Sequence, residues 1–452
     1  MYKKNLFYKK YFLKINYILK KINFDFLYYI PCLYKKDLRK DKISIIKVKF
    51  NFLISLFRKN YLVDDPNYLF NSKICFISHY VGNNISDKNY DFYYGELFKK
   101  LKIKEKFFVI LINHTNESLY DIQKKFRKSK IKRAYINNDF SLFFDSFSIL
   151  KIINKYFIFL IKYKNRNSAV LKKINLNFNL NLFLSSRFTY KISENIIKIL
   201  KISKNLKHLI LTFEGHAFER IIFNYAKKNK IKSYGYFFSV IREYKNSIYY
   251  NFNELYQPDI ILTSGYLAKK DIEINQQFKK IKILGSNKNT DRIKKFNIYK
   301  KKNKKTILVC PEGLYSETNQ MFDLINDNLF NFEKFHFIFR THPLINVEDY
   351  KKKLKNKKIC FSKNNEIKDD FKRSDFILYK GSSVCISAIQ NGLIPINIKT
   401  TKNKFSFDPL YQINKFNVNN SKTLIKIIKV IDKEKFKINI KNQLKDIQNY
   451  SK

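Results

Sequence analysis

From Lys73 onward, short apolar runs alternate with stretches of helical period, a pattern that predicts βα units around parallel sheets. KICFISHY (73–80), FFVILINHT (107–115), HLILTFEG (208–215), KSYGYFF (232–238) and DIILTSG (259–265) read as strands of a first sheet. A polar stretch rich in Lys and Asn, 286–305, reads as a linker. A second series follows: TILVCPEG (306–313), FHFIFRTHP (335–343), KICFS (358–362), DFILYKGSS (375–383) and IPINIK (394–399). Residues 423–448 close the chain with one long helical pattern. The expected fold class is α/β, with two Rossmann-like, doubly wound domains over 71–290 and 306–422. A basic aromatic segment, 1–70, precedes them and a helix, 423–452, follows. Ligands of such sheets bind outside the carboxyl ends of the strands, which puts the expected site at those ends and in the cleft between domains.

Composition narrows the function classes. The 452 residues are 45% apolar, which excludes a mainly disordered chain and leaves room for two or three cores. A net charge of +53 first suggests nucleic acid, because phosphate neutralisation dominates that binding. Only 11 of the 90 basic residues are Arg, the planar fork that phosphate and base readers favour. Abundant Lys, Asn, Ile, Phe and Tyr with scarce Gly, Pro and Ala is the mark of AT-biased codons, so nucleic acid is disfavoured as a partner. Residues 1–60 hold 16 Lys and Arg against 3 Asp and Glu, a net +13 among aromatic side chains. Such a segment suits either a Lys-rich cover on a core or an anionic membrane surface. LKIINKYFIFLIKY (150–163) is too short and too charged to span a bilayer; it reads as a buried or an interfacial amphipathic helix. Cys32, Cys75, Cys310, Cys360 and Cys385 form no CxxC pair, and the expectation is buried free thiols rather than a metal site. With no signal peptide or spanning run evident, the expected location is the cytoplasm, with the inner membrane surface as a further partner.

Against this background the rare residues are informative. Seven of nine glycines lie between Gly215 and Gly392, each near the end of an apolar run. In the second series, one strand ends in Arg340-Thr341-His342-Pro343, another in Lys380-Gly381-Ser382-Ser383, and a third in Pro311-Glu312-Gly313. A glycine before two serines lets the backbone turn, and hydroxyls with free N–H groups suit an anion such as phosphate. Each turn also has a plain structural reading: a proline-stopped strand, a serine N-cap, a glycine loop. Their order in one domain favours a shared pocket. In the first series, Glu214 ends a strand, with His216, Glu219 and Arg220 after it, and His79 ends another strand.

FRTHP followed by YKGSSVCISAIQNGLIPI resembles the donor-binding half of GT-B glycosyltransferases, specifically the bacterial sialyltransferase, polysialyltransferase and Kdo-transferase-like group with its HP and SS motifs. TFEGHAFERIIFNYAKKNKIKSYGYFFS, PDIILTSG and KILGS are similar to surface-carbohydrate transferases with an EGxxxE segment, extending the resemblance over about 205–400. The resemblance implies a GT-B-like fold and an inverting, metal-independent transfer, with no cofactor beyond a nucleotide-sugar donor as co-substrate. The sugar would be a nonulosonic acid or Kdo in its cytidine-monophosphate form, and the acceptor a surface glycan or a lipid-linked saccharide. His342 and Pro343 would then sit against the donor phosphate, held also by Ser382 and Ser383 beside Gly381, Glu312 and Gly313, with Arg340 adding charge. Glu214 is the first choice for the base, with His216 and His79 as rivals. The family pattern has two acidic residues before glycine, whereas this chain has Phe213-Glu214-Gly215. The alternatives are a CDP-glycerol-type glycerophosphotransferase and a non-enzymatic basic protein that binds RNA or membrane. A UDP-sugar 2-epimerase finds no convincing set of acidic residues here.

Overall fold

The computed structural model describes residues 60–82, 88–137 with short gaps, parts of 150–161, then 180–239, 248, 253–275, 280–286, 305–342 except 334, 345–399 except 364–365, 408–410 and 415–430. The chain divides into two compact units, one built on an eight-stranded sheet and the other on a six-stranded sheet.

The first sheet contains β1 (Tyr61–Val63), β2 (Ile74–Tyr80), β3 (Phe107–Asn113), β4 (Arg133–Ile136), β5 (His208–Thr212), β6 (Lys232–Phe237), β7 (Ile260–Thr263) and β8 (Ile281–Ile283). Their spatial order is β1-β4-β3-β2-β5-β6-β7-β8, parallel throughout except for the antiparallel edge pair β1 and β4. The chain winds outward from β2 to β4, returns to β5 on the other side of β2, and winds outward again. This is the doubly wound Rossmann order, whose direction reverses between β2 and β5.

The second sheet repeats the scheme with β9 (Lys305–Pro311), β10 (Phe335–Phe339), β11 (Ile359–Phe361), β12 (Phe376–Lys380), β13 (Ile394–Ile398) and β14 (Phe416–Val418). The order is β11-β10-β9-β12-β13-β14, all parallel, with the reversal between β9 and β12. Every residue of β12 and β13 is buried, which explains why these strands read as unbroken apolar runs rather than alternating ones. The α/β class and the two Rossmann-like sheets agree with the sequence reading.

Sequence pattern missed β1, β4, β8 and β14. Three of them have three residues each, too few for a period to register. β4 was hidden by a charge: Arg133 is buried, with its guanidinium 4.3 Å from the centre of the Phe126 ring. Arg133 donates to the carbonyls of Ile131 and Lys88 and to Ser129 Oγ, so its polar atoms are satisfied inside the fold. Cys75, Cys310 and Cys385 are buried free thiols, but Cys360 is exposed, because β11 is an edge strand. Cys32, the segment 1–59, most of the expected linker and residues 431–452 of the expected long helix lie outside the described residues; a helix occupies Ser421–Val430. Among the described residues, no helix is long and apolar enough to cross a membrane.

Candidate functional site

Each sheet carries a cluster of polar side chains at its reversal point, where the loops from two neighbouring strands diverge and leave a crevice. In the second unit, the clustered loops leave β9, β10 and β12. β9 and β12 are direct neighbours, with Lys380 opposite Pro311, so the loops Glu312-Gly313 and Gly381-Ser382-Ser383 start side by side.

Contacts at two glycines show how tightly these loops pack. A Cβ on Gly313 would lie 2.9 Å from Nδ1 of His342, so the imidazole rests on the bare backbone there. Gly381 has φ of +73°, and a Cβ on it would lie 2.6 Å from Oε2 of Glu312. Position 381 therefore favours glycine for its conformation, and a Cβ there would also push the Glu312 carboxylate aside. His342 is thus placed against Gly313, and Glu312 against Gly381. Pro343 lies outside the described residues.

The two serines differ from a simple helix cap. Ser382 is buried and Ser383 is exposed, and the Ser383 hydroxyl makes no capping bond to the helix Val384–Gln390. Arg340 is engaged in an ion pair: Nη1 donates to the buried Asp370 at 2.6 Å and to Ser362 Oγ at 3.1 Å. Burial holds the His342 imidazole below its usual pKa, and Glu312 nearby only partly offsets this. His342 is consequently neutral near pH 7 and able to donate one N–H.

Three residues of this edge were not singled out from sequence. Lys380, the last residue of β12, is 9% exposed and donates to Gln320 Oε1 at 2.6 Å, with Glu317 Oε1 3.9 Å away. Glu317 and Gln320 are three residues apart on the helix Tyr315–Ile325, so one face of that helix meets β12. Strand-end lysines are common in a Lys-rich chain; only the pairing across elements distinguishes this one.

In the first unit, β2, β3 and β5 end in a second cluster. His79 Nδ1 lies 2.8 Å from His114 Nε2, and His79 Nε2 lies 3.0 Å from Thr212 Oγ1. Both nitrogens of His79 are therefore engaged. His114 was missed, although ISHY and INHT end adjacent parallel strands and each carries a histidine. Burial drives the His79 imidazole well below its usual pKa, and His114 and His216 add to this; burial and His216 lower His114 in the same direction. The Tyr93 ring stands 5.3 Å from that of His79, and its hydroxyl is pushed up to about 12 by burial first and by the charges of Glu214 and Asp91.

Glu214 and His216 share this edge. His216 Nε2 lies 3.3 Å from Glu214 Oε2, with both side chains partly exposed. Beneath them, Glu219 is fully buried and curls back from the helix Ala217–Lys228. Its carboxylate accepts from the backbone N–H groups of Glu214 at 3.1 Å, Gly215 at 2.8 Å and His216 at 2.7 Å. Burial pushes Glu219 up to about 7. The EGxxxE spacing thus has a local mechanical meaning: the second glutamate fixes the loop that presents the first. Arg220 is buried next to it, with Nη1 3.1 Å from Gln257 Oε1. Among the described residues, no cluster of His, Cys, Asp and Glu is arranged to hold a metal ion.

No family model matches the chain, and no curated protein matches it. Among solved structures, a UDP co-structure of S. aureus MnaA is similar at TM-score 0.48 and 14% identity, covering 82% of this chain and 90% of that one. UDP-GlcNAc 2-epimerase from Neisseria meningitidis bound to UDP-GlcNAc follows at TM-score 0.46 and 12% identity, covering 82% and 93%. A variant of the wall teichoic acid polymerase TagF has TM-score 0.41 and 13% identity, covering 86% of each chain. No residue role is carried over from these distant likenesses.

Proposed function

We propose that this chain is an inverting, metal-independent glycosyltransferase that binds a nucleotide-sugar at the β9/β10/β12 edge and transfers the sugar to a glycan or lipid-linked acceptor. The observation that carries the reading is the packing of His342 on Gly313 and of Glu312 beside Gly381, which joins the FRTHP and KGSS turns at one reversal point. The donor is a nonulosonic acid or Kdo carried on cytidine monophosphate.

Each residue has a chemical part in this reading. The neutral His342 donates its N–H to the donor phosphate, joined by the hydroxyls of Ser382 and Ser383 and the loop N–H groups around Gly381. Lys380 supplies positive charge from below. Glu312 repels phosphate and so takes a donor hydroxyl instead. In the transfer, the acceptor oxygen attacks the anomeric carbon from the face opposite the phosphate. The bond to the phosphate oxygen breaks, its electron pair leaves with the nucleotide, and fixed donors stabilise the growing charge. The acceptor proton goes to Glu214, whose carboxylate is positioned by His216 and by the Glu219-anchored loop.

The test is binding of purified protein to a panel of nucleotides. Cytidine nucleotides should bind best, and His342→Ala should weaken them about 10- to 100-fold, the worth of one hydrogen bond to a charged group. Absence of affinity for any nucleotide overturns the proposal.

A further inference from the structure

A helical segment within 150–161 turns large apolar side chains to solvent. Leu150 is 63% exposed, Phe157 57%, Ile158 48% and Ile161 75%. Leu150, Phe157, Ile158 and Ile161 all stand at helical positions within twelve residues, so exposed apolar side chains are concentrated there. Asn154 in the same segment is exposed as well. The Lys151 ammonium lies 5.7 Å from the centre of the Tyr190 ring on the helix Leu180–Ile202. That contact ties the segment to the first unit.

Exposed apolar surface of this size has three possible covers: a second copy of the chain, another protein, or a lipid surface. Charge distinguishes them. Between Asp145 and Glu194 the sequence contains nine Lys and Arg and no acidic residue at all. Two copies meeting face to face would bring these like charges together, whereas an anionic surface neutralises them. Exposed apolar side chains in a lysine-rich stretch of sequence too short to span are the pattern of a segment lying in the plane of an interface.

We propose that this segment docks on an anionic phospholipid bilayer, with Leu150, Phe157, Ile158 and Ile161 entering the headgroup boundary and the neighbouring lysines meeting the lipid phosphates. The proposal is independent of the glycosyltransferase reading. It would bring the chain to the surface where lipid-linked substrates lie.

The test is co-sedimentation of the full chain with vesicles of equimolar phosphatidylglycerol and phosphatidylcholine, and with vesicles of phosphatidylcholine alone. The wild type should partition onto the anionic vesicles in preference. The double variant Phe157→Glu/Ile161→Glu should lose on the order of tenfold or more in partition, while Phe157→Leu/Ile161→Leu retains it. Circular dichroism should be the same for all three, since the substituted side chains face solvent. Wild-type binding by the Glu variant overturns the proposal and moves any membrane contact to the basic residues 1–60. Equal partition onto both vesicle types overturns the anionic preference. A concentration-dependent dimer that the Glu variant abolishes, without vesicle binding, assigns the segment to a second copy and also overturns it.

Discussion

Replacing Glu219 separates the loop anchor from the chemistry it supports. Its carboxylate is fully buried and takes three backbone N–H groups. Glu219→Ala leaves those donors without an acceptor, at about 1–3 kcal/mol for each that water does not reach. The amide of Gly215 is buried, and those of Glu214 and His216 are partly exposed, so a loss of about 2–4 kcal/mol is expected near pH 6. The pH dependence is more diagnostic. The folded-state pKa is raised from 4.5 to about 7. A raised carboxyl contributes stability that is fully present below pH 4.5 and is lost as pH rises through about 7. A shift of that size corresponds to about 3 kcal/mol. Glu219→Gln cannot ionise, so the wild-type minus variant stability should fall by about 3 kcal/mol between pH 4.5 and 8 and then level off. Urea unfolding followed by circular dichroism at several pH values measures this difference, and hydrogen exchange at the amides of residues 214–216 localises it. A difference that stays flat to within about 1 kcal/mol across the range refutes the reasoning.

The remaining predictions address both edges. Glu214→Gln should keep donor binding and abolish sugar transfer; unchanged turnover, read from product mass, would rule out Glu214 as the base. Gly381→Ala forces a side chain into a left-handed conformation and against Glu312, costing about 1–2 kcal/mol for the backbone alone and disrupting nucleotide binding. Unaltered affinity in a titration would contradict the packing described. Arg340→Leu strands the buried Asp370 and should destabilise by about 3–5 kcal/mol. The double variant Arg340→Leu/Asp370→Leu should recover most of this loss in urea unfolding, as expected of a structural pair. His79 and His114 are lowered, so each contributes stability present above the unfolded imidazole pKa of about 6.5 and lost as pH falls toward the folded value. His79→Gln should flatten that acid limb in a thermal melt series, and an unchanged limb would show that His79 is not held neutral.

The apolar runs alone determined the α/β class, ten of the fourteen strands among the described residues and the turns where rare glycines end them, because a buried parallel strand cannot be written without a continuous apolar stretch. The polar residues at the ends of β9, β10 and β12 were legible for the same reason. Glu312, His342 and Gly381 each follow an unmistakable strand, and a doubly wound sheet gathers strand ends whatever lies between them. What the sequence could not decide was which polar groups meet once the ends are gathered. Arg340 is held by Asp370, thirty residues on, and His114 meets His79 only because β2 and β3 are neighbours in parallel register. Hydrogen bonds and ion pairs are short-ranged and directional, so their partners are fixed by tertiary approach rather than by spacing. The reverse holds for Leu150, Phe157, Ile158 and Ile161. Their helical period fitted a buried face and an interfacial one equally, and only the packing of the first unit left them in solvent.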